Sequence, residues 1–151
     1  MTLNGTALDS GLTSLFTDPP ATFSGCADQW AQAVYDYSNT VIPLSTAAVA
    51  AQATLAASLT TAFTSSTTAA TTAESMETAF KAYATTLAAG MLPTYSGVAP
   101  TGDVGFSGAF TGAVPTTTSE AVTNFSDIIQ AWFLTGTATL VASPFTPVTW
   151  T

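Results

Sequence analysis

Basic residues are almost absent from this chain of 151 residues. Lys81 is its one cation, and with no histidine and nine acidic residues the formal net charge is −8. Nucleic-acid binding depends mainly on lysine and arginine side chains that neutralise phosphate groups. We therefore expect neither nucleic acid nor an anionic membrane surface as a partner.

The catalytic and metal-binding chemistries that need histidine or several cysteines are excluded in the same way. Without histidine, neither a Ser-His-Asp nor a Cys-His nucleophile pair can form, and no histidine metal site exists. Cys26 is the only cysteine, so an intramolecular disulfide and cysteine clusters for zinc or iron–sulfur are impossible. The spacing of the carboxylates does not place two of them roughly 5–10 Å apart across a cleft, as glycoside hydrolysis requires. We expect no enzymatic activity, no cofactor and no metal.

Charge is scarce altogether. Charged residues make up 7% of the chain, whereas about 25% is usual in a soluble domain. Residues 37–73 contain no charge, but they are alanine, threonine and serine rather than leucine and phenylalanine, and no basic residues flank them. We expect no membrane span there. The first residues have neither a basic region nor a long apolar core, so we expect no signal peptide.

Apolar residues at helical spacing predict a mainly α fold, a bundle of four to five helices. The predicted helices are Leu8 to Phe16, stopped by Asp18-Pro19-Pro20; Cys26 to Val41, capped at Ser24 and ended by Pro43; Thr46 to Phe63; Thr71 to Gly90; and Thr117 to Gly136. The expected apolar face of the third helix is Val49, Gln52, Leu55 or Ala56, Leu59 and Phe63.

Two Thr-x-x-Glu sequences indicate where helices begin. Thr71 and Glu74 have the spacing of a capping box, in which each side chain satisfies an amide at the other end of the first turn. Thr117-x-x-Glu120 repeats this spacing before the last helix. Within the fourth helix, Lys81 follows an acidic residue at i+4, which predicts an exposed ion pair with Glu77.

Two segments fall outside the predicted helices. Residues 91–116 form a long loop rich in glycine and proline, and residues 137–151 form an extended C-terminal arm with a strand expected around 139–142. Free tails are usually polar, so the apolar arm is expected to be docked. The domain organisation is then a helical domain over 1–136, loop included, followed by the arm. The expected interface residues are Tyr95, Phe106, Phe110, Leu140, Val141, Phe145, Val148 and Trp150.

The composition of the surface favours a function. With so little charge, threonine, serine, alanine and glycine must cover the exterior, and such surfaces have a low cost of side-chain ordering and of desolvation. This favours a non-enzymatic structural subunit of a macromolecular assembly, whose arm packs on, or adds a strand to, another copy or a different assembly protein. The alternative is a secreted or surface module that binds glycan or ice through threonine and aromatic faces.

Short stretches of the sequence resemble small, uncharacterised virion proteins of tailed bacteriophages. They are Ala27-Asp28-Gln29-Trp30-Ala31, Gly90-Met91-Leu92-Pro93, and Trp132 followed by Thr135-Gly136-Thr137-Ala138-Thr139. The resemblance implies a structural role in a virion head, neck or tail, with assembly in the host cytoplasm, and brings no site residues with it. Because cations are lacking, an exterior head, neck or tail position away from packaged DNA is expected.

Overall fold

The structure, a computed structural model, describes residues 3–39, 46–141 and 147–150. Within these ranges the chain forms six α-helices and three short strands, so the fold is mainly α, as predicted. In chain order they are α1 (Gly5–Thr17), α2 (Phe23–Ser38), α3 (Thr46–Ser65), α4 (Ala69–Gly90), β1 (Tyr95–Val98), α5 (Phe106–Thr111), α6 (Thr118–Phe133), β2 (Thr137–Leu140) and β3 (Pro147–Thr149). The predicted end of the second helix at Val41 and Pro43, and the interface residue Phe145, lie outside the described residues.

Consecutive helices pack against each other, and α6 closes the bundle by packing on α1. The Asn4 amide donates to the Tyr37 carbonyl at 2.9 Å, which joins the start of α1 to the end of α2. These two helices approach most closely at Gly11, where an added Cβ would lie 2.5 Å from the Ala33 Cβ. The fully buried large side chains are Leu8, Leu12, Tyr37, Leu55, Leu59, Met76, Phe80, Tyr83, Leu87, Phe106, Phe133 and Trp150.

Two of the expected helix starts are wrong, one by two residues and the other by about one turn. The N-cap of α2 is Thr22, whose hydroxyl accepts from the Gly25 amide at 3.1 Å, so Ser24 lies inside the first turn. Helix α4 begins at Ala69 behind a capping box of Thr68 and Thr71. The hydroxyl of Thr71 serves as the second partner, so the box does not need a glutamate.

The predicted N-cap of α6 is confirmed. Thr117 is the N-cap, and its hydroxyl accepts from the Glu120 amide at 3.1 Å. The Glu120 carboxylate, however, accepts from the amide of Thr116 at 2.7 Å and from its hydroxyl, one residue before the cap. These two hydrogen bonds lower the pKa of Glu120.

The buried face of α3 contains Leu55 and Leu59, as predicted, but its other positions are shifted by one residue from the expected ones. Val49 is 55% exposed, and the buried positions are Ala48, Ala51, Leu55, Leu59 and Ala62. Alanine gives no apolar stripe in the sequence, yet it lets α2 and α4 approach closely on either side, which places the bulkier valine outside. By length and composition α3 could also cross a membrane, so the expected absence of a membrane span stays a prediction.

The loop and the arm come together in a three-stranded antiparallel sheet of order β1-β2-β3. Residues 91–116 therefore contain a strand and the short helix α5, and β2 starts two residues before the predicted strand. Beyond β3, the Trp150 amide donates to the Gly136 carbonyl at 3.1 Å, and its ring is fully buried. The arm is docked as expected, with its last described residue in the core of its own chain.

Candidate functional site

The alternating helices give the bundle two ends with different surfaces. One end, here the groove end, carries the end of α1, the start of α2, the end of α3 and the starts of α4 and α6. The opposite end, here the sheet end, carries the other helix termini and the three strands. Exposed apolar groups are present at both ends.

An apolar groove of ≈ 500 Å³ opens at the groove end. It is lined by Leu15, Phe16, Pro19, Phe23, Cys26, Trp30, Phe63, Thr72, Met76, Phe110 and Phe125. No lining residue is charged, and the Cys26 thiol is turned to the Pro20 carbonyl at 3.5 Å. The groove therefore offers shape and apolar contact rather than a set of convergent hydrogen-bonding groups.

Aromatic rings from four helices form the wall of this groove. The Phe125 ring of α6 is the centre, with ring centroids 5.7 Å from Phe16, 5.4 Å from Trp30 and 5.5 Å from Phe110. Phe16 and Trp30 meet edge to face at 5.9 Å. Such contacts between rings on separate helices hold the wall in a defined shape. Phe23, 59% exposed, stands at the mouth.

The sheet end exposes apolar side chains without any aromatic wall. Of the eight exposed large hydrophobic residues among those described, six are at this end: Val49, Leu92, Val98, Leu134, Val141 and Val148. The strand register places Val98 opposite Thr137 and Thr137 opposite Thr149, on the face turned away from α4. That outer face is uncharged and rich in threonine.

Among the described residues no strand lies beyond β3, and its outer edge is a poor template for a further strand. The Trp150 amide is hydrogen-bonded to Gly136, across from it on the side of β2. Because backbone groups alternate in direction along an antiparallel strand, those of Val148 also point towards β2, whereas those of Pro147 and Thr149 point to the outer edge. Proline has no N–H, so β3 presents one outward amide donor, that of Thr149. Proline on an edge is a common protection against strand addition.

A second pocket, of ≈ 470 Å³ and polar, lies between α1 and α6. It holds Asp9 and Asp127 together with several hydroxyl groups. Ser126 donates to Asp9, and the Gln130 amide donates to the Ser126 hydroxyl at 2.6 Å. Both carboxylate residues are exposed, so water solvates them. The sequence alone does not predict that these side chains of α1 and α6 lie together, because their proximity depends on how the two helices pack.

Lys81 forms ion pairs with two acidic residues of its own chain. Its ammonium group lies 3.2 Å from Glu77, which confirms the predicted pair, and 2.8 Å from Asp103, which was not predicted. The hydrogen bond to Asp103, followed by the interactions with Glu77, raises the pKa of Lys81. Glu77 also accepts the amides of Val104 and Gly105. This network anchors the segment that leads into α5.

Two of the expected interface residues belong to the core. Phe106 and Trp150 are fully buried, Phe106 against Phe80 at 4.8 Å and Trp150 against Phe133 at 6.0 Å. They are therefore not available for contact with a partner, because the short helix α5 and the strand β3 turn them inward. This corrects both predictions.

The other described candidates remain at least partly accessible. Tyr95, Phe110 and Leu140 are half-buried, whereas Val141 and Val148 are exposed. Sequence reasoning missed exposed residues that stand alone outside the apolar stripes: Phe23, Leu92, Val98 and Leu134. Phe23 could have been found, since it precedes the stripe of α2 and does not belong to it.

Metal binding finds no support in the part of the chain that the structure describes, which contains no group of three or more potential ligands. Comparison with protein-family models, with curated proteins and with solved structures found no match.

Proposed function

We propose that this protein is a non-enzymatic structural subunit of a macromolecular assembly. The observation that carries the proposal is the sheet end, where six large apolar side chains are exposed. Residues 82–102 and 128–151, which include the three strands, contain no charge. Exposed apolar surface that is not interrupted by charge is typical of a protein–protein interface.

The partners in this proposal are copies of the same chain, other assembly proteins or both. Contact surfaces made of short side chains lose little entropy on burial, so even modest apolar contact stabilises association. The one cation is paired with two carboxylates of its own chain, which agrees with an assembly that does not touch nucleic acid.

In its finer form, the proposal is a component of a bacteriophage virion, in the exterior head, neck or tail, assembled in the host cytoplasm. Its support is the resemblance carried by the stretches around Trp30, Met91 and Thr137, together with the lack of cations.

Light scattering with charged variants of the sheet end tests the proposal. Val98→Asp combined with Leu134→Asp places two carboxylates among exposed apolar groups, and Ala53→Asp places one on the exposed face of α3 as a control. We expect the wild-type chain and Ala53→Asp to form particles larger than one chain of 15.3 kDa. The double variant should form particles of lower mass than the wild type does. A double variant that assembles like the wild type would contradict the proposal.

A glycan- or ice-binding module is the second candidate, favoured by two observations. The outer sheet face carries Thr137, Thr139 and Thr149, and the polar pocket between α1 and α6 presents hydroxyl, amide and carboxylate groups of the kind that bind sugar hydroxyls. A calorimetric titration with soluble glycans and a measurement of ice growth test it. Binding that Asp127→Ala abolishes would favour the glycan module over the assembly subunit.

A further inference from the structure

We propose that the apolar groove is the receptor for the sheet end of a second copy, so that the chains associate head to tail. The inference rests on the proposed function and names its partner and its geometry. Two different surfaces of one molecule would then meet in every contact, which defines a heterologous interface.

The two surfaces have complementary chemistry. The groove is an aromatic-walled cavity of ≈ 500 Å³ without a charged lining residue. Aliphatic side chains are its suitable ligands, and the exposed side chains of the sheet end are valine and leucine. Interface hot spots commonly place such anchors in well-packed pockets that exclude water.

The two ends of the bundle differ in charge. Four exposed acidic residues lie at or near the helix termini of the groove end: Asp18, Asp28, Glu74 and Glu120. At the sheet end, the last turn of α2 carries Asp36, whose carboxylate accepts from Gln32 at 2.9 Å. The three strands carry no charge, and the connection from β1 to α5 carries Asp103, which is paired with Lys81.

This distribution disfavours the pairing of two groove ends. Two groove ends facing each other would bring four carboxylates against four others, a like-charge contact that opposes association. A groove end facing a sheet end avoids that repulsion and buries both apolar surfaces. Pairing of two sheet ends through their edges is limited by Pro147, which leaves β3 with one outward amide donor.

The groove and the sheet lie at opposite ends of the same helices, so a chain that uses both has one neighbour at each end. A heterologous contact of this kind generates a closed ring or an open filament, depending on the rotation between neighbours. Either product is a particle larger than a dimer.

Two variants, each blocking one surface, provide the test. Phe23→Asp puts a carboxylate at the mouth of the groove. Phe23 is the first residue of α2 and 59% exposed, and an acidic residue there suits the helix dipole, so the fold should persist. Val98→Asp with Leu134→Asp blocks the sheet end and leaves the groove intact. Each variant alone should remain monomeric, with association weakened at least about tenfold.

Mixing the two variants gives the decisive result. Phe23→Asp retains a sheet end and the double variant retains a groove, so an equimolar mixture should form a dimer that contains one copy of each and no larger particle. Sedimentation measures the masses. If wild type assembles and Phe23→Asp assembles equally well, the head-to-tail inference is overturned while the assembly subunit stands. A wild-type chain that stays monomeric at every concentration overturns the inference as well.

A charge reversal at one position separates this geometry from pairing of two sheet ends. Leu134→Lys would face the acidic groove end of its neighbour, so it should weaken association less than Leu134→Asp does, and the difference should shrink at high salt. If two sheet ends pair, both variants oppose like charges and weaken association equally, which would contradict the inference.

Discussion

At the scale of single residues, Gly136 and Trp150 hold the arm against the bundle. A Cβ at position 136 would lie 2.7–2.9 Å from three carbons of the Trp150 ring. Only glycine leaves room for the ring, and the backbone hydrogen bond between the same two residues fixes the strand beside it. The sequence showed the apolar arm, but not that its last tryptophan needs this space.

The first prediction concerns this contact. Gly136→Ala forces the indole ring out of its position and should lower the free energy of unfolding by about 1–3 kcal/mol, measured by urea denaturation. Gly108→Ala is the matched control, since nothing lies within 4 Å of an added Cβ there. That control should be neutral or slightly stabilising. Equal effects of both substitutions would show that the ring does not pack where the structure places it.

The buried tyrosines give a prediction for alkaline pH. Desolvation raises the pKa of the Tyr37 and Tyr83 phenols above the ordinary value of 10.0. As the pH rises above 10, the unfolded chain therefore loses these protons before the folded chain does. The free energy of unfolding should be highest below pH 10 and should fall as the pH rises further. Lys81, whose pKa is also raised, acts in the same direction from its exposed position.

Urea midpoints at a series of pH values check this decline. The double variant Tyr37→Phe with Tyr83→Phe removes both phenols and should show a shallower fall above pH 10. Ser38 keeps its hydrogen bond to the Val34 carbonyl in that variant, at 2.7 Å. A double variant with the same pH profile as the wild type would exclude the two phenols as the cause.

At the scale of elements, periodicity predicted which helices exist, whereas the starts of α2 and α4 were misplaced and those of α3 and α6 were predicted correctly. The stripes through Trp30, Phe80 and Ile129 predicted α2, α4 and α6, because large side chains mark a buried face clearly. Their starts depend on threonine hydroxyls, and this chain has 31 threonines. With so many possible caps, the Thr-x-x-Glu pattern selected the wrong turn of α4.

The cap of α4 supplies a test at this scale. Thr68→Ala removes the hydroxyl that accepts the Thr71 amide at 3.2 Å, and should cost about 1 kcal/mol of stability. Glu74→Gln changes the residue that the sequence pattern had chosen, and should shift stability by less than about 0.5 kcal/mol. Thermal unfolding of the two variants decides which turn begins the helix; the opposite order of effects would place the start at Thr71.

At the scale of the whole molecule, the two ends of the bundle explain why the candidate surfaces were only partly predictable. Val141 and Val148 could be picked from the apolar arm, because a terminal segment with that composition needs a contact. The groove could not, since it joins residues of α1, α2, α3, α4, α5 and α6 whose meeting depends on how the helices pack. The acidic groove end likewise collects carboxylates that are far apart in the sequence.

The arm has a further consequence at this scale. Deleting residues 137–151 would remove β2, the central strand, together with the Trp150 ring that fills the core. We therefore expect the deletion to reduce stability as well as assembly, whereas Val148→Asp, at a position 42% exposed, should impair assembly with little loss of helix content. Circular dichroism and light scattering on the two proteins separate the effects. Unchanged assembly of Val148→Asp would exclude β3 from the interface.

The most direct test of the central claim is the solution mass of the purified wild-type chain, measured by light scattering over a range of concentrations at low and at high salt. An assembly subunit with apolar contacts predicts a mass that grows with concentration beyond 15.3 kDa. High salt should leave that mass unchanged or increase it, since salt screens the repulsion between chains of net charge −8. A mass of one chain at every concentration and both salt levels would contradict self-assembly.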